Sequence, residues 1–493
     1  MSNLVKKLAG ETVLYGMSSI VGRLLNYLLV PLHTRLFAEA EYGVVSHLFA
    51  LSAFLIVIFS YRMESAFFRF GTPAEDRERA YSTGLLSLLA SSLLITAALF
   101  AFAQPVADVL QYPQHPEYIR WFALILAFDC LCELPFARLR LEQRPIRFVT
   151  AKIFNIGLNV ALNLFWLLFC PWAAREGQGW VHALWSPDRG VAYVFLANVI
   201  ASIATFLLLL PQVGRIRWTF DWQLWKRMLA YAAPLIVVGL AGIMDEMFSR
   251  AMMPRLLTGT LEENRAQLGI FAANYKLAML ISLFTQAYRY AAEPFFFRHA
   301  ADRDALRTQA DATKWFTIAA SAGMLGILLF LDVLKRFIDV RYYGGLQVVP
   351  ILLMANLFLG LYYNFSVWYR LKDRTMLGAA ISVAGAVLTV ALNILWIPRF
   401  GYVGAAWVTL LCYVFMSWAT WFTGRKPHPV PYPLGRMALY VVLALALYAL
   451  GRWAAEPLRS YAVLLWAMRA VLFGAYLGLV YLLERRRAPL AGA

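Results

Sequence analysis

Apolar stretches of about 20 residues recur along the whole sequence, and they limit the fold more than any other feature. Each stretch is long enough to cross the roughly 30 Å hydrocarbon core of a bilayer as an α-helix. We count about fourteen of them, numbered here as spans 1 to 14. Their centres lie near Ile20, Phe54, Leu89, Ala127, Leu162, Ala201, Val238, Met279, Ala322, Leu357, Ala386, Cys412, Leu445 and Phe473. With 61% hydrophobic residues and a mean hydropathy of +0.62, the sequence predicts an all-α polytopic membrane protein.

Three motifs occur twice, about 230 residues apart. The pairs are Glu64-Ser-Ala-Phe-Phe-Arg69 with Glu293-Pro-Phe-Phe-Phe-Arg298, Arg140-Leu-Glu-Gln-Arg144 with Arg370-Leu-Lys-Asp-Arg374, and Val160-Ala-Leu-Asn163 with Val390-Ala-Leu-Asn393. Matches at one offset indicate two homologous halves. Because six spans, an even number, precede the second copy, we predict parallel repeats related by an axis along the membrane normal.

The repeat predicts three parts of the chain. Residues 1–220 form an N-terminal six-helix lobe, residues 221–426 form a C-terminal six-helix lobe, and residues 427–493 form two additional C-terminal helices. Four prolines between residues 427 and 433 predict a stiff connector before these two helices.

The formal net charge of +17 would suit a nucleic-acid-binding protein, but the positions of the cations argue against that class. Most of the 45 lysines and arginines fall on alternate loops. This positive-inside pattern predicts a multi-pass topology with both termini in the cytoplasm and no nucleic-acid partner. The four cysteines and six histidines have no metal-ligand spacing, so we expect neither a metal site nor another resident cofactor.

Several segments resemble a known family of transporters. They are Thr12-Val-Leu-Tyr-Gly-Met-Ser-Ser-Ile-Val-Gly-Arg23, Pro31-Leu-His-Thr-Arg35, Glu41-Tyr-Gly43 and Gly269-Ile-Phe-Ala-Ala-Asn-Tyr-Lys276. In these segments the chain resembles the polysaccharide-export flippases (O-antigen or lipid-linked oligosaccharide flippases) of the multidrug/oligosaccharidyl-lipid/polysaccharide exporter superfamily, which are related to lipid II flippases.

The resemblance implies two six-helix lobes around a central cavity that opens alternately to each side of a bacterial inner membrane. It implies a lipid-linked oligosaccharide, carried on a polyprenyl diphosphate such as undecaprenyl diphosphate, as cargo. Membrane lipid surrounds such a protein, and polysaccharide polymerases or assembly proteins are possible partners. Relatives closest to the lipid II flippases carry two extra C-terminal helices, which agrees with the predicted count.

Ionisable residues inside spans are costly and mark candidate functional sites. In span 1, Arg23 and Asn26 share one narrow helical face with small and hydroxyl residues. A guanidinium donates paired hydrogen bonds to phosphate oxygens, so Arg23 is a candidate ligand of the cargo diphosphate. The alternative is that Arg23 pairs with an acid such as Asp245 and holds the lobes together.

Span 8 carries two further cations, Lys276 and Arg289. Lys276 lies deeper in the span, and the resemblance supports it because cavity cations occur on this helix in relatives. Arg289 lies nearer the cytoplasmic end, where its side chain can also reach the interface. Both are candidate substrate-binding residues.

Two sets of residues are candidates for ion coupling. In relatives, an acid on helix 7 joins polar groups of helices 11 and 12 in a sodium site, which would assign Asp245 and Asn393 here; the alternative is that Asp245 neutralises an arginine. Asp129 and Glu133 lie one turn apart on span 4 and could share a proton, or they could form salt bridges to a neighbouring helix. The expected coupling ion is therefore Na⁺ or H⁺.

These features favour a non-enzymatic, alternating-access flippase for a lipid-linked oligosaccharide. An ion-coupled multidrug antiporter on the same scaffold is the main alternative, and the acids inside spans keep it open. A saccharide polymerase or ligase is less favoured because the outer loops are short. The sequence contains no Gly-rich phosphate loop that would indicate direct use of ATP.

Overall fold

The computed structural model describes residues 27–214, 218–298, 304–458 and 460–485. Within these ranges the chain is helical and has no β-strand. The helices up to residue 256 are α1 (27–36), α2 (Glu39–Ser60), α3 (Met63–Gly71), α4 (Ala74–Ala101), α5 (Ala103–Val109), α6 (Pro116–Leu141), α7 (Pro145–Leu164), α8 (Cys170–Arg175), α9 (Ala192–Val213) and α10 (Trp222–Leu256). The later helices are α11 (Leu261–Arg298), α12 (Ala305–Leu329), α13 (Leu331–Leu334), α14 (Val349–Phe365), α15 (Val367–Leu371), α16 (Thr375–Gly424), α17 (Leu434–Ala455) and α18 (Ala462–Arg485).

The helices reproduce the predicted set of spans. Eleven helical segments of the described chain are long and apolar enough to cross a membrane. One of them, α16, is 50 residues long and bends at Gly401, so it supplies spans 11 and 12. Helix α6 is not among the eleven, because Asp129, Glu133 and terminal arginines interrupt its apolar stretch. With α16 counted as two spans and α6 included, the described residues contain thirteen spans, while most of span 1 lies outside them. The prediction of about fourteen spans is confirmed.

The chain divides into two compact units, residues Met1–Gly269 and Ile270–Ala493. In the first unit α6 packs against α4 and α9, and α7 packs against α9. Helix α10, the first helix of the second sequence copy, packs against α2 and α3 of the first unit. In the second unit α14 packs against α16, and α12 packs against α17 and α18. The lobe boundaries expected from the repeat, at residues 220 and 426, stay a prediction.

The sequence repeat is also a repeat of backbone conformation. After α6, Gln143 has a φ of 54°, and Arg144 N–H donates to the carbonyl of Leu139 at 2.9 Å. After α15, Asp373 has the same φ of 54°, and Arg374 N–H donates to the carbonyl of Tyr369 at 2.7 Å. Each left-handed residue ends one helix and lets the next start at once. The two turns lie at matching places in the two sequence copies.

Two glycines let α2 and the first turns of α11 touch backbone to backbone. A Cβ on Gly43 would overlap the carbonyl oxygen of Arg265, and a Cβ on Gly269 would overlap the carbonyl oxygen of Glu39. Close approach of this kind is available only to residues without a side chain. The role of these two glycines in the fold is therefore steric. Both belong to the segments that carry the family resemblance.

Candidate functional site

The first unit contains a polar cavity of about 410 Å³ among its membrane helices. Five ionisable side chains line it, together with amide, hydroxyl and aromatic groups. The ionisable residues are Glu64 from α3, Asp129, Glu133 and Arg140 from α6, and Lys152 from α7. Asp129 and Glu133 face it together because a spacing of four residues places both on one side of α6.

Asp129 and Lys152 face each other across this cavity as an acid and a cation. The Ser202 hydroxyl on α9 donates to Oδ1 of Asp129 at 2.7 Å. Lys152 interacts electrostatically with Asp129, and its Nζ lies 4.2 Å from the centre of the Phe136 ring. Such partners stabilise a charge that lies between membrane helices. Asp129 therefore has one neutral donor and one cation that attracts it electrostatically.

Glu133 faces a break between α2 and α3. The Ser60 hydroxyl hydrogen-bonds Glu133, and Arg62 lies close enough to attract it electrostatically. Tyr61 and Arg62 both have positive φ, at 32° and 56°, which interrupts the helix at that point. The Arg62 guanidinium packs directly on Gly239 of α10, where any side chain would overlap it. The broken helix thus turns a cation toward the second cavity acid.

Ion pairs connect α6 to its neighbours near the last turns of that helix. Arg140 pairs with Glu64, and its guanidinium lies over the Phe68 ring at 4.8 Å. Arg138 is buried and binds Glu78 at 2.5 Å and Glu142 at 2.7 Å. The repeated Glu64 and Arg140 motifs therefore meet in the first unit.

Arg23 and Asn26, two predicted cargo ligands, lie outside the described residues. Lys276 on α11 is partly buried and has an interaction partner. Arg289, further along α11, places its guanidinium 4.5 Å from the centre of the Tyr363 ring. A cation at this distance from an aromatic ring is attracted by the electrons of the ring face.

Asp245 and Asn393 fall in different units. Asp245 on α10 is 7% exposed, whereas the adjacent Glu246 is exposed, as their separation of about 100° around the helix predicts. Asn393 is fully buried and donates from Nδ2 to the Thr389 carbonyl at 2.7 Å.

The duplicated asparagines make matching contacts within their own helices. Asn163 in α7 donates from Nδ2 to the carbonyl of Asn159, four residues earlier, at 2.8 Å. This bond mirrors the one from Asn393 to Thr389. Oδ1 of Asn163 also lies 3.0 Å from Nε2 of His33, which ties α7 to α1. These bonds fit the structural role that asparagine has inside membrane bundles.

The second unit carries an apolar groove of about 380 Å³ between α12, α14, α16 and α17. Leu361, Trp418, Leu434 and Val441 are among its lining residues, and nearly all of its surface is hydrocarbon. Ala438 lines it from an exposed face of α17. One of the two predicted extra helices therefore contributes to a groove with the chemistry of a lipid chain.

Two ion pairs fasten α18 to the α12 region. Near the start of α12, Lys314 Nζ binds Glu484 Oε2 at 2.7 Å, and the Tyr440 hydroxyl donates to the other oxygen of Glu484 at 2.6 Å. Just after α12 ends, Arg469 binds Asp332 at 2.5 Å. The cation in span 14 thus has an acidic partner on a neighbouring helix.

Sequence reasoning did not single out Lys152, Arg62 or Asp332. The first two lie at the ends of basic segments, 138–152 and 62–79, that the charge pattern predicts as cytoplasmic loops. The available signal was helical spacing: Lys152 comes seven residues after the start of α7 at Pro145, two turns into the helix.

The chain is similar to one protein family in sequence and to several solved structures in fold. Residues 32–177 match the model of a family described as "Polysaccharide biosynthesis protein". The structure of a lipid II flippase, MurJ, in an inward closed conformation superposes with a TM-score of 0.74 at 11% identity, covering 95% of this chain and 99% of that one.

Transporters of the MATE class share the fold over less of the chain. An inward-facing multidrug resistance MATE family transporter of the MOP superfamily gives a TM-score of 0.61 at 15% identity and covers 82% of this chain and 94% of its own. A mutant of the Vibrio cholerae MATE transporter VcmN gives a TM-score of 0.55 at 14% identity and covers 87% of this chain and 98% of its own. No curated protein sequence matches the chain. At these identities the structural likeness establishes the fold.

Proposed function

We propose that this chain, a flippase or transporter of the multidrug/oligosaccharidyl-lipid/polysaccharide exporter superfamily, moves an undecaprenyl-diphosphate-linked oligosaccharide by alternating access. Transport runs from the cytoplasmic to the periplasmic leaflet of a bacterial inner membrane and supplies cell-surface polysaccharide assembly. Polymerases or assembly proteins that consume the lipid-linked product are the expected partners.

The observation that carries the proposal is the extent of the shared fold. The lipid II flippase covers 95% of this chain, whereas the two MATE structures cover 82% and 87%. The part of this chain that the MATE structures do not cover is about as long as residues 427–493, which contain α17 and α18. Additional helices are useful to an exporter of a long-chain lipid, because its tail must remain in contact with hydrocarbon while its head crosses.

The head group needs cations inside the membrane. A diphosphate loses hydration energy when it leaves water, and charge-assisted hydrogen bonds from lysine and arginine offset that loss. We assign this role to Lys276 and Arg289, with Arg23 and Asn26 of span 1. The contact of Arg289 with the Tyr363 ring supports its assignment, since a side chain that a neighbouring ring already restrains loses less entropy when it binds phosphate.

The tail requires the opposite chemistry. The groove between α12, α14, α16 and α17 is lined almost wholly by hydrocarbon and contains about 380 Å³, enough for a few isoprene units but not for the whole chain. We assign it to the segment of the polyprenyl tail that lies nearest the head group.

Ion coupling belongs in this scheme to the polar cavity of the first unit. Protonation of Asp129 or Glu133 would remove a negative charge that attracts Lys152 and Arg62, so a proton would change the contacts between α2, α6 and α7. Sodium at Asp245 and Asn393 is the alternative source of driving force. Imposed proton and sodium gradients in vesicles distinguish the two ions.

The test is flipping in reconstituted vesicles. A fluorescent undecaprenyl-diphosphate oligosaccharide is added, and a membrane-impermeant quencher reports the fraction in the outer leaflet. Lys276→Ala should slow flipping at least about tenfold, as expected for the loss of one charge-assisted hydrogen bond, while Lys276→Arg retains most of the rate. Wild-type rates in the Ala variant would remove Lys276 from the head-group site.

The groove has its own matched pair of variants. Ala438→Trp places an indole in the groove, whereas Leu439→Trp places the same indole on an exposed part of α17 that does not line the groove. The first should slow flipping of the long-chain substrate, and the second should not. Equal rates in both would exclude the groove as a tail site.

An ion-coupled multidrug antiporter is the second candidate. Acids in the cavity of the first unit would suit a cationic substrate, and the MATE structures share the fold. Transport of a fluorescent organic cation by the same vesicles, with no movement of the lipid-linked sugar, would favour this function over the flippase.

A further inference from the structure

The second unit holds a cavity of about 600 Å³ between α12, α17 and α18, separate from the groove described above. Its walls combine five charged side chains with four leucine side chains. The charged residues are Asp332, Lys335, Arg452, Glu456 and Arg469. We propose that this cavity binds the phosphodiester head group of one anionic glycerophospholipid of the phosphatidylglycerol type.

The charge of the lining favours an anion. Three cations and two acids face the cavity, which leaves a surplus of one positive charge at neutral pH. Asp332 is shared between two of the cations, since it binds Lys335 at 3.0 Å and Arg469 at 2.5 Å. No acidic partner of Arg452 is found within the described ranges. One phosphodiester carries one negative charge and balances this surplus.

Burial makes the surplus significant. Arg469 stands in a membrane span and is only 8% exposed, so water screens its charge weakly. Its guanidinium has five N–H donors, and the bond to Asp332 uses Nη2. Asp332 alone does not occupy all of these donors, because Lys335 binds it as well. Phosphate oxygens accept hydrogen bonds from a guanidinium in pairs.

The position of the cavity favours a lipid over a free anion. It lies where α12 and α17 end and α18 begins, and Trp453 and Tyr461 beside it are 78% and 66% exposed. Exposed tryptophan and tyrosine at helix ends are typical of the membrane interface. The leucine walls provide contact for the glycerol and first acyl carbons. On the predicted topology this end of the helices meets the outer leaflet.

Native mass spectrometry of the detergent-solubilised full chain tests the site. Phosphatidylglycerol is titrated against the wild type, the double variant Lys335→Gln/Arg452→Gln and the control Arg399→Gln. Arg399 is an exposed arginine near the bend of α16 and does not line the cavity. The double variant leaves the pair between Arg469 and Asp332 in place, which protects the packing of α18.

The wild type and Arg399→Gln should each retain one phosphatidylglycerol, with at least about tenfold weaker retention by the double variant. Phosphatidylethanolamine, whose head group is neutral overall, should bind more weakly than phosphatidylglycerol. If the double variant does not fold, the single variant Arg452→Gln at an exposed position replaces it.

Three results would overturn the proposal. They are equal retention of phosphatidylglycerol by wild type and double variant, equal retention of the two lipids by the wild type, and displacement of the lipid by millimolar inorganic phosphate. The last result would mean that the cavity recognises phosphate alone. Because lipid retention is measured without transport, failure here is distinguishable from failure of the proposed flippase activity.

Discussion

Replacing Gly43 by alanine tests the close packing of α2 against α11. The added methyl group would overlap the backbone carbonyl of Arg265, which no rotamer change can move. The helices must separate by roughly 1 Å to restore ordinary contact, and overpacking of this kind costs about 1–3 kcal/mol. Alanine in an unobstructed helical position has the opposite effect, because it is a better helix former than glycine by about 0.5–1 kcal/mol.

Gly157 supplies the matched control, since a Cβ added there meets no atom within 4 Å. The measurement is the midpoint of heat-induced loss of the monodisperse peak in size-exclusion chromatography. Gly43→Ala should melt below the wild type and Gly157→Ala at or above it, with a difference of about 2 kcal/mol between the variants. A Gly43→Ala protein as heat-resistant as Gly157→Ala would refute the backbone contact.

Three further perturbations follow from the ion pairs. Lys152→Met leaves Asp129 in the polar cavity without its cation and should reduce proton-driven flipping at least about tenfold in vesicles, whereas Lys152→Arg retains it; equal loss in both would indicate a packing role. Glu484→Gln breaks the buried pair with Lys314 at a cost of about 3 kcal/mol, and faster proteolysis of α17 and α18 should report it; unchanged proteolysis would contradict this. Burial alone would raise the pKa of Asp332, but the hydrogen bonds from Arg469 and a neighbouring lysine lower it below its usual value. The stabilisation by Asp332 is therefore fully present above about pH 4 and declines as pH falls through the lowered pKa, so Asp332→Asn should lower the melting midpoint more at pH 7 than at pH 3.

Span number could be predicted because bilayer thickness fixes the length of every crossing helix. Even α6 was found, although Asp129 and Glu133 interrupt it, since its remaining residues are strongly apolar. The left-handed turns were not predictable from local sequence. Gln143 and Asp373 occupy a conformation that favours glycine, and only their position in the repeat connects them.

The part of the candidate site that lies on one helix was predictable from helix geometry. A spacing of four residues predicts that Asp129 and Glu133 face one side of α6, because helix geometry is local. Their partners Ser202, Lys152 and Arg62 come from other helices, and no local pattern specifies which helices pack together. Long-range pairing of this kind appears only in three dimensions.

The bend in α16 has a consequence for how spans 11 and 12 can change. Gly401 has φ 58° and ψ −145°, a backbone conformation restricted to glycine, and it joins the two spans without a loop. A connection of one residue has no flexible segment that could accommodate a tilt of either span. Substitutions can therefore change the angle between the two spans only through the side chains that pack between them and against the neighbouring helices.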